Sequence, residues 1–472
     1  MSRESDEDTQ DRPEIASELL DLRDKPPEPL APSPQALGVW ELAWPTIAAG
    51  LLQTLVRWAD VKMVGVLGRD AVAAVTAGGQ VYWFLQSIVM AVTTGLVALV
   101  ARSVGARDMA AADSMLRQGI IMGTLFGLLT TAAALPFSEF WIAIYGVEES
   151  VVRYGETYIY WLLVGNVPFT LTFVFAAGLR AAGDTRSPLA IGAVANALNL
   201  FLNWVLIYGN LGFPRLGVAG AGIASSLAMV FQVAVFWILW DRQRLVLRPT
   251  RRSFRPDFGI WRRILRIGYP ATIEGAVWHL GLLGFMRIMS EYGTAEFAAY
   301  NIGAQILALS FLPGHGFAVA ASTLVGQHLG DGRPDRASRS GWRSLAGSIS
   351  AMSALGVAVI ATARPIARWF IDDAEVVDLT VDFIWILGAV QPLMAVEFTL
   401  GGALRGAGDT RFPLVVVFVG LFVCRLIPAT LAALVFGATI QVVWSALVLD
   451  YAVKAVLLVE RFRRGRWSTL DV

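Results

Sequence analysis

The sequence predicts an all-α integral membrane protein with twelve transmembrane helices. They form two six-helix lobes related by a pseudo-two-fold axis along the membrane normal. Three observations predict it. Hydrophobic residues make up 56% and charged residues 16%, with mean hydropathy +0.59, whereas a soluble chain carries about 25% charged residues. Apolar runs long enough to cross a bilayer, about 20 residues each, recur through the chain. One sentence is also written twice: Leu-Arg-Ala-Ala-Gly-Asp-Thr-Arg-Ser-Pro-Leu at 179–189 and Leu-Arg-Gly-Ala-Gly-Asp-Thr-Arg-Phe-Pro-Leu at 404–414.

The two copies stand 225 residues apart (404 minus 179), and the offset holds without a gap. Pro45/Pro270, Gly68/Gly293, Ala73/Ala298, Gly78/Gly303, Val100/Val325 and Gly105/Gly330 all obey it. The chain is therefore an internal duplication. In order, the apolar runs lie near 39–63, 72–100, 118–138, 156–179, 188–208 and 217–240. The second set lies near 264–289, 297–325, 344–366, 380–403, 412–436 and 439–460. Six crossings return the chain to its starting side, so the second lobe enters as the first did. This places residues 1–36 as a polar, disordered tail and 37–240 as the N-terminal lobe. A basic linker follows at 241–262, then the C-terminal lobe at 263–460 and a basic tail at 461–472.

Arginines orient the chain. Loops on one side hold Arg102, Arg107, Arg117, Arg180, Arg186, Arg405, Arg411, nine arginines from Arg242 to Arg266, and Arg461, Arg463, Arg464 and Arg466. By the positive-inside rule, both termini are expected to be cytoplasmic, and the expected location is the plasma (inner) membrane. A loop joining two lobes accounts for the basic linker without nucleic acid as a partner. Cys424 is the only cysteine and the three histidines have no ligand spacing, which excludes a multi-cysteine metal site. No G-x-x-x-x-G-K-[ST] loop occurs, so ATP coupling of the P-loop kind is excluded. No cofactor is implied, and a monomer is expected.

The repeated sentence itself reads as a helix–helix turn. Gly183 and Gly408 suit a C-cap with positive φ. Asp184 and Asp409, or the threonines after them, suit the cap of the next helix, and Pro188 and Pro413 its first turn. Arg180, Arg186, Arg405 and Arg411 fall at the level of lipid phosphates.

The doubled L-R-x-A-G-D-T-R-x-P-L, Trp44-Pro45 and Tyr269-Pro270, Val64-Gly65-Val66-Leu67-Gly68 before Ala73-Ala74, and Gly105-Ala106-Arg107 resemble the multidrug and toxic compound extrusion family. The resemblance covers roughly 37–460. It implies two six-helix lobes around a central cavity, and an antiporter that exports small organic, often cationic, compounds in exchange for H⁺ or Na⁺ by alternating access. Such a protein is not an enzyme. A flippase for lipid-linked precursors shares the architecture but would line its cavity with arginines, for which Arg57, Arg287 and Arg425 are the candidates. An integral-membrane enzyme would need a His/Asp/Glu or Ser cluster at a membrane face, and no such spacing is present.

Positions where the duplication breaks point to function, since an intramembrane charge is expensive unless paired or wet. Asp60 faces Phe285 across the repeat, Glu274 faces Ala49, Glu397 faces Thr172, Asn199 faces Cys424 and Asn203 faces Pro428. Asp60 lies in the outer half of the first helix. Asn203 falls at similar depth on the fifth, with Asn199 one turn below on the same face. A carboxylate facing two amides suits a proton or a cation such as Na⁺, and the resemblance implies an ion-coupling aspartate at Asp60. The competing reading pairs Asp60 with Arg57. In the C-terminal lobe, Glu274 is expected as a lone mid-membrane acid for substrate or ion, with Arg287 as its competing structural partner. Glu397, nearer the basic side, and Trp278, one turn from Glu274, are expected to serve substrate or ion in the same lobe. Tyr82, Trp83, Phe84, Phe311 and Met394 are further candidates to line a cavity for flat cations.

Overall fold

The computed structural model describes residues 38–249 and 254–470, so the tail 1–36 lies outside the described residues. Every regular element among them is helical, and no strand occurs. The N-terminal lobe contains α1 (Val39–Gly65) and α2, which is Arg69–Gln86 and Val89–Gly105 bent by 48°. It continues with α3 (Met109–Ala143) and α4, which is Glu149–Val164 and Asn166–Ala181 bent by 55°, then α5 (Arg186–Tyr208) and α6 (Val218–Asp241). The C-terminal lobe contains α7 (Phe258–Met289), α8 (Thr294–Gly330), α9 (Pro334–Ala361), α10 (Ala374–Gly406), α11 (Arg411–Val435) and α12 (Ile440–Arg463).

Eight of these helices are long and apolar enough to cross a bilayer unbroken, and the two bent pairs make ten. Helices α1 and α7 complete the twelve; their charges (Arg57, Asp60 and Lys62; Glu274 and Arg287) dilute an otherwise apolar span. Burial ranks the helices by position. Of the apolar window of α10, 61% is buried inside the protein, against 22% for α6. Helix α10 is therefore the axis of its lobe, and α6 turns most of its surface to lipid. Exposed Leu128, Leu129, Trp237, Ile238, Val357, Trp385 and Phe418 belong to that lipid-facing surface. An apolar exterior is stable there because the surrounding solvent is hydrocarbon.

The lobes meet along the half of the molecule nearest the arginine-rich loops. Here α1 and the second segment of α2 cross α7 and α8 with almost no side chain between them. A Cβ on Gly105 would stand 1.9 Å from the Gln327 carbonyl oxygen, and one on Gly330 would stand 2.0 Å from that of Arg102. Gly105 and Gly330 are repeat partners, and so are Arg102 and Gln327. The two contacts are one contact seen from each lobe, and Ala101 against its own partner Gly326 lies on the axis between them. Gln327 Nε2 donates to the Ala181 carbonyl, and Thr323 Oγ1 to that of Arg180, across the same seam. Toward mid-depth the contact ends on Thr272 against Ser87 and on His279 edge-on to Phe84.

The repeated turn forms largely as its residues dictate. Gly183 and Gly408 have φ of 93° and 90°. Asp184 Oδ1 accepts from the Ser187 amide, while Thr185 and Thr410 donate to the carbonyls of Glu41 and Ile267, tying α5 to α1 and α11 to α7. Asp409 departs from its expected capping role. Its carboxylate accepts from Arg461 Nε at 2.8 Å, because α12 runs on to Arg463 and delivers that arginine. The segment after it is docked: Trp467 is buried, stacks on Phe462 and donates to the Phe462 carbonyl.

Candidate functional site

Both lobes hold polar clusters within their spans. In the N-terminal lobe, α1 and α5 pack so that Asn203 Nδ2 donates to Asp60 Oδ1 at 2.6 Å. Asn199, one turn back on α5, lies 3.3 Å from the Asn203 amide, on the face the 3.6-residue period gives it. Turned so that its nitrogen faces the carboxylate, Asn199 also reaches Asp60 Oδ1 at 3.3 Å, beside Ser225 of α6. The three residues expected to converge do so.

Arg57 does not pair with Asp60; its guanidinium lies 5.8 Å from the centroid of the Trp83 ring. Among the described residues no ion pair includes Asp60, and Asn203 Oδ1 is buried with no hydrogen-bond partner. A partly buried carboxylate beside an unsatisfied carbonyl oxygen is a hard-oxygen donor set, which suits Na⁺ or a proton. The residues present therefore fit the expected ion.

The C-terminal lobe is built differently, and here one expectation needs correction. Glu274 is not a lone acid: its Oε1 accepts from Arg405 of α10 at 2.6 Å. Arg405 thus turns inward from the lipid-phosphate level, because α7 offers it a carboxylate where the N-terminal lobe has Ala49. Arg287, the competing partner, pairs with Glu291 on the exposed side of α7 instead. The second oxygen of Glu274 is buried and unsatisfied. Glu397 is paired as well: its Oε1 meets Lys454 Nζ at 3.2 Å.

Lys454 also meets Asp450 Oδ1 at 3.1 Å, and Asp450 pairs in turn with Arg425 of α11. Glu397, Lys454, Asp450 and Arg425 form one chain of alternating charge across α10, α12 and α11. The side chain of Asp450 is 0% exposed, that of Lys454 2% and that of Arg425 9%, while Glu397 keeps 18%, the most of the four. Two acids balance two bases, the condition under which buried charges are tolerated. Local backbone makes room for them. Helix α11 widens into π-turns at Val419–Leu426 and Leu431–Val435, whereas the repeat partners of the first, residues 194–201 of α5, stay α-helical. A Cβ on Gly420 would stand 2.2 Å from Asp450 Oδ1. Such π-turns often mark functional positions.

Trp278 lines a cleft with Tyr300, Phe311, Phe383, Arg425 and Tyr451, so the aromatic lining meets the charged chain at Arg425. Of the other aromatic candidates, Trp83 and Phe84 are exposed, but Tyr82 is buried in a hydrogen-bonded cluster with Gln86 and Asn166, and Met394 is buried in the lobe core. Those two pack and do not line a cavity. Asp450 and Lys454 were not singled out from the sequence. An acid and a base at i and i+4 inside an otherwise apolar run were the available signal.

Comparison with known proteins decides the family. The MatE family model matches residues 45–205 and again 270–431, once in each lobe. The chain belongs to the MatE family of transporters. It is 29% identical over 433 residues to a Thermotoga maritima protein named "Probable multidrug resistance protein NorM", covering 91% of this chain and 92% of that one. A protein of the same name from Rhodopseudomonas palustris is 31% identical over 444 residues, covering 90% of each. Among solved structures, one described as the outward-facing conformation of a multidrug resistance MATE family transporter superposes with TM-score 0.84 at 22% identity, covering 93% of this chain and 98% of that one. A Pyrococcus furiosus MOP superfamily transporter, whose binding pocket is described as of reverse polarity, also gives TM-score 0.84, at 21% identity, covering 93% and 96%. These MATE neighbours have twelve transmembrane helices in two lobes, and this multi-pass chain has the same fold.

Proposed function

We propose that this MatE transporter exports small organic, often cationic, compounds by alternating access, driven by inward movement of H⁺ or Na⁺ through the Asp60 site. The observation that carries the reading is the Asp60–Asn203–Asn199 cluster. A carboxylate with no ion-pair partner among the described residues, held by amides beside an orphaned oxygen, is suited to take up a proton or a cation as its surroundings dry. The curated relatives named for multidrug resistance support the export direction. The glycine seam supports the conformational part. The lobes are closed on the arginine-rich face, so the state described is the outward-facing one if that face is cytoplasmic, and transport requires the seam to part.

In this scheme Asp60 carries the coupling ion. Glu274 with Arg405 and the Glu397–Lys454–Asp450–Arg425 chain govern the C-terminal lobe. A cationic substrate near Glu274 competes with Arg405 for the carboxylate, which gives charge selectivity in a low-dielectric site. Trp278 and Phe311 supply faces for stacking. In this reading the protein works as a monomer in the plasma membrane, and the arginine distribution supports cytoplasmic placement of both termini. Purified protein in liposomes, loaded with a fluorescent cation, tests the reading. Efflux should follow either an imposed pH gradient or an imposed Na⁺ gradient, and no response to either would refute ion coupling.

A further inference from the structure

Each lobe closes its last helix in the same way. Helix α6 ends at Asp241 and α12 at Arg463, an offset of 222 (463 minus 241). At that offset Gln243 and Gly465 both take positive φ, 55° and 70°, and turn the chain back toward its own lobe. Two residues further on, Leu245 and Trp467 are both buried. The duplication therefore extends past the helices into the segments that follow them. Trp467 is the larger anchor. Its ring stacks on Phe462 at 4.7 Å, and its indole N–H donates to the Phe462 carbonyl at 2.8 Å. Phe462 is itself wedged against α9, where a Cβ on Gly341 would stand 2.3 Å from its ring. Beyond the anchors the two segments differ. Leu247 stays buried in the core of its own lobe, whereas Leu470 meets the opposite lobe.

Arg102, on the second segment of α2, makes that contact. One of its nitrogens donates to the Leu470 carbonyl at 3.0 Å and to the Ala407 carbonyl at 2.9 Å. These are two of the interactions Arg102 makes. Gln327, its repeat partner, donates to a single carbonyl across the seam, that of Ala181. Arg102 thus ties both the α10–α11 turn and the segment after α12 to the N-terminal lobe. Hydrogen bonds from a charged donor are among the strong ones, and this acceptor lies on a strap whose other end is buried in the C-terminal lobe. Parting of the lobes on this face must break the bond. We propose that residues 465–470 are a latch that holds the arginine-rich face closed and must release Arg102 before that face opens. The acceptor is backbone, so the parts that specify the latch are the anchor Trp467 and the grip Arg102. The latch presupposes the rocking of the lobes that the proposed function requires. It sets how readily the closed state gives way, and it contacts neither the Asp60 site nor the aromatic cleft.

Pulsed electron paramagnetic resonance on the full-length protein in detergent tests the latch. Spin labels go on Ala110→Cys and Asp335→Cys in a Cys424→Ser background. These two positions are repeat partners, exposed at the starts of α3 and α9 on the arginine-rich face. Their distance distribution separates molecules closed on that face from open ones. Trp467→Ala frees the strap and should raise the open fraction roughly tenfold, about the worth of one hydrogen bond from a charged donor. Trp467→Phe keeps a ring on Phe462 and should raise it less. Arg102→Gln leaves the anchor intact, so it tests the grip even if Trp467→Ala folds poorly, and it should also open the face. Added to Arg102→Gln, Trp467→Ala should bring little further opening, because both act through one contact. Fully additive shifts would overturn the latch, as would a folded Trp467→Ala with the wild-type distance distribution. Gly105→Val wedges the seam directly. If it lengthens the distance while Trp467→Ala and Arg102→Gln do not, the latch is wrong and the rocking of the lobes stands. If none of the three lengthens it, the rocking fails as well.

Discussion

Replacing Lys454 with methionine perturbs the C-terminal lobe at the centre of its charge chain. The ammonium contacts Glu397 at 3.2 Å and Asp450 at 3.1 Å, and it is 2% exposed. At an effective dielectric constant near 20, each contact is worth about 5 kcal/mol before desolvation. Returning Lys454 to water in the unfolded state recovers much of that, so breaking a buried pair by removing one partner costs about 3–5 kcal/mol in total. Arg425 still neutralises Asp450 in the variant, which leaves Glu397 as the uncompensated acid. Adding Glu397→Gln removes that acid, and the double variant should regain most of the loss. Fluorescence-followed thermal unfolding in detergent reads the series. Lys454→Met should have the lowest midpoint, and the double variant should lie above it, with a coupling of about 2 kcal/mol or more. Additive losses, or a Lys454→Met protein as stable as wild type, would refute the linked charge chain.

Other outcomes follow from separate parts of the fold. Gly420→Leu should destabilise the protein by about 3 kcal/mol or more, since its side chain would have to occupy the space of Asp450 and Lys454; unchanged thermal stability would contradict the packing. Gly105→Val and Gly330→Val should lower stability alike, because they meet the same contact from the two lobes, and a large difference between them would break the symmetry argument. Glu274→Gln should weaken binding of cationic substrates about tenfold or more relative to neutral ones of similar shape, as judged by tryptophan quenching titrations. Equal loss for both would make the Glu274–Arg405 pair a packing element. In a Cys424→Ser background, Arg248→Cys should resist an impermeant thiol reagent applied to intact cells and react after lysis; labelling from outside would invert the topology.

The helices and the duplication were legible because both are local or register-based signals. Apolar runs announce the spans, and one 225-residue offset announces the lobes. The N-terminal site was legible for the same reason: Asn199 and Asn203 share a helix face by periodicity, and Asp60 stood out because its repeat partner is Phe285. The C-terminal chemistry was not legible, because its pairings cross between helices whose rotation the sequence leaves open. Arg405 looks like its twin Arg180 until α7 brings Glu274 within 2.6 Å of it. Arg425 faces Asp450 through a stretch of α11 whose π-turns shift the register that a 3.6-residue period assumes. The close approach of Gly420 to the charge chain is likewise a matter of interhelical distance, which no single-helix pattern contains.

The central claim is that Asp60 carries the coupling ion, and Asp60→Asn in proteoliposomes tests it most directly. Asparagine keeps the size of the side chain and a hydrogen bond to Asn203, but it can neither release a proton nor offer a charge to Na⁺. With folding checked by the unfolding midpoint, efflux of a fluorescent cation is measured under an imposed pH gradient and under an imposed Na⁺ gradient. The account predicts that wild type responds to at least one gradient, and that Asp60→Asn, folded and still binding the cation, responds to neither. Gradient-driven efflux by Asp60→Asn at the wild-type rate would contradict it.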